Sequence, residues 1–355
     1  MSDAMTSGHY GHALSASLTT RTFASSRHTS RYWEAGPAEG PLMIFLHGWP
    51  QIGLMWRAQM EAFASEGWRC IAPDMRGYGG SAAPSPPEAY ALKEIVDDMA
   101  ELHDYLGAQP AIWVGHDWGS PVAAALAAHD PHRSRGIVLI SVPYFPQGFG
   151  LPSLVPLVDR NLYPAEQFPD GQWDYYRFYL THFNQSVSDM EADIPATLAS
   201  LYRPGNPSFA AATGKISPSA LITANGGRYG LAHRAPPTTP DSTLWPTADF
   251  DALVAAFRTT GFRPANSWYL NDSVNAEYAR GAAHEGRLLQ PVLFVNGDLD
   301  PICDINRSRL GEPMRNACQA LTVTTMAAGH WVPLERKIEL TRVIRSWLDT
   351  NIERG

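Results

Sequence analysis

The apolar and polar positions divide this chain into short, nearly continuous apolar runs separated by longer segments with helical spacing. The runs are "PLMIFLHG" (41–48), "RCIAPD" (69–74), "AIWVGHD" (111–117), "GIVLISV" (136–142), "PVLFVNGD" (291–298) and "ALTVTTM" (320–326). Such runs are expected of parallel strands covered on both faces. Helical patterns occupy 53–66, 91–106, 119–129 and 335–349. This alternation predicts an α/β fold built on a mostly parallel, doubly wound sheet. Two earlier stretches, "TTRTFASS" and "HTSRYWEA", predict an antiparallel edge hairpin.

The middle of the chain breaks the pattern. From about Pro146 to Pro264 it is rich in Pro, Gly, Tyr and Trp and carries no buried-strand signal. One helix there is well marked, "DFDALVAAFRTTG", with Asp249 near its start and Gly261 as its stop. The expected organisation is a flexible tail over 1–20 and a discontinuous core over 21–146 and 265–355. A helical cap over 147–264 would be inserted after the sixth strand and cover the C-terminal edge of the sheet, where open α/β sheets bind ligands.

Composition narrows the function. The 355 residues carry a formal charge of −8, with no run of Lys or Arg. That argues against nucleic acid or an anionic membrane surface as the main partner. No apolar stretch approaches the roughly 20 residues of a membrane span, and "MSDAMTSGHYGHALSASL" lacks an apolar signal core. A cytoplasmic protein acting on small molecules is expected. Cys70, Cys303 and Cys318 have neither pairing nor metal-ligand spacing and read as free thiols. Neither a metal nor another cofactor is indicated, and the oligomeric state stays open, a homodimer included.

The candidate chemistry centres on "VGHDWGSP" (114–121). Strand, Gly115, Asp117, Gly119 and helix have the form of the strained elbow that lifts a nucleophile above a sheet. Its tip is an aspartate where serine is common. "LHGWP" (46–50) follows a strong strand, so the backbone N–H groups of Trp49 and Trp118 can converge on one oxygen. "VNGDLDP" offers Asp298 or Asp300 as an orienting acid, and "AGHWVPLE" places His330 before the last helix. The order nucleophile, acid, histidine is that of the α/β-hydrolase triad.

A carboxylate, with a reference pKa of about 3.9, is ionised at neutral pH and needs no base to attack. It suits displacement at a saturated carbon, giving an alkyl-enzyme ester. His330 is then free to activate the water that cleaves the ester, with the acid fixing its tautomer. A halide would leave without a proton. An epoxide oxygen would need a donor, which a cap tyrosine can be.

The sequence resembles the soluble epoxide hydrolases of the α/β-hydrolase fold. "HGWP", "GHDWGS", "WDYYRFY" (173–179), "GFRPANSWYLN" (261–271), "NGDLD" and "GHW" fall in that family's order, over roughly residues 40 to 350. The resemblance implies Asp117 as nucleophile, Asp300 as acid and His330 as base. It implies Tyr175 and Tyr269 as donors to the epoxide oxygen, with Tyr176 one residue away as the rival to Tyr175. Trp49, Trp118, Trp268 and Trp331 are expected to line the pocket, and the partners would be an epoxide and water.

Two other readings are separable. A haloalkane dehalogenase shares the aspartate, but Trp49 stands where those enzymes usually carry a side-chain donor. A fluoroacetate-type enzyme has arginine where this chain has Trp118. A non-catalytic receptor on the same fold would bind without turnover.

Overall fold

The structure is a computed structural model that describes residues 18–208 and 216–353. The tail expected over 1–20 lies outside these residues except at its end, where Thr19 already begins the first strand. Eight strands form one sheet: β1 (Thr19–Ala24), β2 (Thr29–Ala35), β3 (Leu42–Leu46), β4 (Arg69–Pro73), β5 (Ala111–His116), β6 (Ser134–Ile140), β7 (Leu288–Gly297) and β8 (Cys318–Met326). Their order is β1-β2-β4-β3-β5-β6-β7-β8. β1 and β2 are the expected hairpin, and β2 joins β4 antiparallel. The remaining pairs are parallel, and one register row runs Phe45, Val114, Val138, Leu293, Thr322.

Every residue of β3 and β5 is buried, which explains their unbroken apolar sequence: both faces of the central strands are covered. The helix Arg57–Ser65 packs with Lys337–Asn351, and Leu92–Tyr105 packs with Gly119–His129. β8 departs from the expectation of two covered faces. It is an edge strand, and of its residues only Cys318 and Met326 are buried. Thr322 and Thr324, on either side of Val323 in "ALTVTTM", fit that edge position.

The chain leaves the sheet after β6 and returns at β7, and the described residues between them contain no strand. They include the helices Asp174–Thr181, Phe183–Glu191, Ile194–Leu201, Thr247–Thr260, Arg263–Ser267 and Asp272–Arg280. Gly261, at φ +69°, ends Thr247–Thr260 as its sequence indicates. Asp249 does not cap that helix. It takes both Nε and Nη2 of Arg57, at 2.8 Å each, and so pins the insertion to the core. Among the described residues no helix is long and apolar enough to cross a membrane.

Candidate active site

β3 and β5 are neighbours, and their C-terminal ends place two turns side by side. After β5 the backbone turns through Asp117 at φ +52°, a left-handed conformation that an L-residue adopts only under constraint. The constraint is close packing. A Cβ on Gly119 would lie 2.1 Å from the carbonyl oxygen of Leu46, so only glycine lets the helix Gly119–His129 start that near β3. The carboxyl group of Asp117 is thereby lifted off the sheet edge.

The turn after β3 meets this carboxylate. The Trp49 N–H donates to Asp117 Oδ1 at 2.6 Å. A Cβ on Gly48 would lie 2.2 Å from Asp117 Oδ1 and 2.6 Å from the Trp118 nitrogen, which sets both atoms on the same side of Gly48. Around these turns the polar side chains act as braces. His47 Nε2 accepts from the Met75 N–H at 2.9 Å, and Asp74 accepts from the N–H groups of Gly53 and Gly80. Ser120 Oγ bonds the carbonyls of Gly115 and Ile140, fixing the first turn of the helix to the sheet.

His330 sits in the loop after β8. Its Nδ1 is 2.7 Å from Asp300 Oδ2, and its Nε2 is 3.3 Å from Asp117 Oδ2. The choice between Asp298 and Asp300 is decided by geometry. Asp300 Oδ1 accepts from the N–H groups of Ile302 and Cys303, leaving Oδ2 for the imidazole. The His330 carbonyl is held by His116 Nε2 at 2.7 Å and Ser141 Oγ at 2.9 Å.

Burial works against charge on His330, but the Asp300 carboxylate and hydrogen bonds with Asp117, Asp300 and Cys303 outweigh it. The imidazole's pKa lies well above the ordinary histidine value. Burial also opposes ionisation of Asp300, yet His330 and the two backbone donors hold its pKa below the usual carboxylate value. Asp300, Cys303 and His330 bring one donor atom each within 4.8 Å of one another. They fit a metal poorly, because burial beside Asp300 pushes the Cys303 thiol up to about 12 and the imidazole favours its proton.

Above the carboxylate lies a cavity of about 360 Å³ lined by Asp117, His330, Tyr175, Tyr269, Trp49, Trp118 and Trp331, among others. The rings of Tyr175 and Tyr269 stand 6.0 Å apart, and Tyr269 meets Trp118 edge-on at 5.3 Å. Neither hydroxyl hydrogen-bonds another described residue. Burial pushes both phenols well above the ordinary tyrosine value, so they are donors at neutral pH. Tyr176 turns elsewhere on the same helix, its hydroxyl donating to Asp272.

Trp268 is the one expected lining residue that does not reach the cavity. Its Nε1 donates to the Arg76 carbonyl at 3.1 Å and its ring packs between Tyr78 and Trp118. An indole N–H buried among aromatics is placed by the acceptor it finds, and here that acceptor lies in the core. The cavity wall also includes Phe149 and Arg228, which the sequence did not single out and whose spacing carries no motif, together with Trp173 and Cys303, for which no lining role was expected.

Comparison with known proteins shows the family. The model of the α/β hydrolase fold family matches residues 41–337. Epoxide hydrolase A of Mycobacterium tuberculosis is 30% identical over 327 residues, covering 90% of this chain and 93% of that protein. Epoxide hydrolase B of the same organism is 32% identical over 337 residues, covering 87% and 92%. The crystal structure of Epoxide Hydrolase A from Mycobacterium thermoresistibile matches with a TM-score of 0.74 at 26% identity, over 96% of this chain and 100% of the other. The chain belongs to the epoxide hydrolases of the α/β-hydrolase fold.

Proposed function

We propose that the protein converts an epoxide and water to a vicinal diol through an ester on Asp117. Oδ1 is occupied by the Trp49 N–H, so Oδ2 is the oxygen that attacks the epoxide carbon. The carbon–oxygen bond breaks, its electron pair goes to the ring oxygen, and that oxygen takes a proton from Tyr175 or Tyr269. Burial weakens these phenols as acids, but it disfavours the charged alkoxide in the same cavity as well, so transfer runs toward the alkoxide.

In the second step His330 takes a proton from water, and the hydroxide attacks the ester carbonyl. The tetrahedral oxyanion at Oδ1 would keep the Trp49 N–H and gain the Trp118 N–H, which lies on the same side of Gly48, each such donor being worth about 10²–10³ in rate. Collapse breaks the bond between the carboxyl carbon and Oδ2, Oδ2 leaves in the diol with the proton from His330, and the proton left on the new Asp117 carboxyl group returns to the tyrosinate. Esterification removes the charge of Asp117, one of the groups that hold a proton on His330. Esterification therefore loosens the hold on that proton as the nucleophile is used, while Asp300 keeps the imidazole oriented.

The observation that carries this reading is one carboxylate that meets His330 Nε2 and shares its cavity with two phenols that have no hydrogen-bond partner among the described residues. Halide displacement is favoured less, because of the Trp49 and Trp118 indole N–H groups in the wall the Trp49 one is engaged by Asn266 Oδ1 at 2.9 Å, leaving the Trp118 one without that second donor. The test sets aryl and alkyl epoxides against matched bromoalkanes. Diol without halide release supports the proposal; halide release without diol overturns it.

A further inference from the structure

The cavity wall contains a cation that the two-step scheme does not use. Arg228 lies on the turn between the short helices Pro218–Leu221 and Gly230–Ala232 and lines the cavity opposite the sheet edge. Its Nη2 donates to the Tyr179 hydroxyl at 2.9 Å, and its Nε is buried with no partner. Its guanidinium carbon lies 5.6 Å from the centre of the Trp49 ring. Among the described residues no carboxylate comes within ion-pair distance of it. Asp189 adjoins the preceding Gly227 but is paired with His233 at 3.0 Å.

An enclosed guanidinium without an anion is costly to maintain, and buried charges are ordinarily paired. The turn that bears it is also fixed in advance, since Gln185 Nε2 donates to the Gly226 carbonyl at 2.7 Å. A second arginine, Arg203, lines the same cavity, and among the described residues its Nη2 bonds only the Thr239 carbonyl. The carboxylates in the wall, Asp117 and Asp300, are both engaged with His330. Arg228 is thus a fixed positive group with no counter-charge among the described residues.

Trp49 links this cation to the reacting centre: its backbone N–H holds Asp117 Oδ1 while its ring lies against Arg228. The geometry points to a substrate that carries a carboxylate roughly one side chain away from its epoxide, paired with Arg228 while Asp117 attacks the ring. This inference rests on the epoxide-hydrolase reading and narrows it to epoxy acids. A guanidinium meets a carboxylate through two parallel hydrogen bonds, which also orients the ring toward Asp117. Arg228 is then a specificity-determining residue that leaves both chemical steps to the triad and the phenols.

The test compares an epoxy carboxylate with its methyl ester, in the intact protein and in Arg228→Gln and Arg228→Lys. The intact protein should favour the acid by about tenfold to hundredfold in kcat/KM, expressed mainly in KM. Arg228→Gln should collapse that ratio toward one, and Arg228→Lys should keep part of it. Equal use of acid and ester by the intact protein overturns the inference and leaves the hydrolase reading standing. An acid-to-ester ratio unchanged in Arg228→Gln overturns it as well. Calorimetry with the diol acid separates the two readings. If neither epoxide is turned over but the diol acid binds the intact protein and not Arg228→Gln, the anion site is upheld and the hydrolase reading fails.

Discussion

His330 Nε2 stands 3.3 Å from Asp117 Oδ2, so the residue that would end the reaction touches the one that would begin it. This contact couples the protonation of His330 to the charge of Asp117.

The coupling has a measurable sign. The hydrogen bond with Asp117 is among the interactions that raise the His330 pKa. Asp117→Asn, an uncharged carboxamide of the same shape, should therefore lower the His330 pKa relative to the unaltered protein. Titration followed by NMR of the imidazole carbons checks this. An equal or higher value in the variant would mean that Asp117 does not govern the base.

Removing the base should strand the intermediate. His330→Gln keeps the bulk of the side chain but loses the group that deprotonates water, so the ester should form and persist. Intact-protein mass spectrometry after exposure to substrate should show an added mass of one epoxide. Binding without that adduct would argue against a covalent route.

The phenols should be partly redundant. Tyr175→Phe and Tyr269→Phe should each lower kcat/KM about tenfold to hundredfold, and the double variant by about 10³ or more. Tyr176→Phe is the contrasting change. It removes the hydrogen bond to Asp272 and should cost about 1–2 kcal/mol of stability, with kcat/KM altered only a fewfold. A large kinetic loss in Tyr176→Phe would exchange the roles of the two neighbours.

The elbow should not tolerate a methyl group. In Gly119→Ala the new Cβ would meet a backbone oxygen of β3 at 2.1 Å, and neither backbone can swing away as a flexible side chain would. A loss of at least about 1–3 kcal/mol is expected, read as a lowered Tm together with lost turnover. Full stability and activity in this variant would show that the close packing is not needed.

Much of this arrangement is legible in the sequence because it is local. "GHDWGS" announces the elbow since the left-handed turn and the helix start packed on β3 both constrain the residues beside Asp117. The parallel strands are legible because β3 and β5 are buried throughout. What fails to show is set by partners far along the chain. Asp298 and Asp300 are alike until the N–H groups of Ile302 and Cys303 orient Asp300. Tyr175 and Tyr176 differ only in helix phase, which Asp272 makes visible. Trp268 looks like a pocket residue until the Arg76 carbonyl captures its N–H. Arg228 has no motif at all; its position follows from a turn held by Gln185, 43 residues earlier in the chain (228 − 185).

The central claim is that an enzyme carboxylate bonds covalently to the substrate and water then attacks that carboxylate. Its most direct test is a single turnover in ¹⁸O-labelled water with enzyme in excess, followed by mass analysis of the diol and of the peptide containing Asp117. The account predicts label in the Asp117 carboxyl group and none in the first diol released. Label in that diol, with an unlabelled Asp117 peptide, would contradict it.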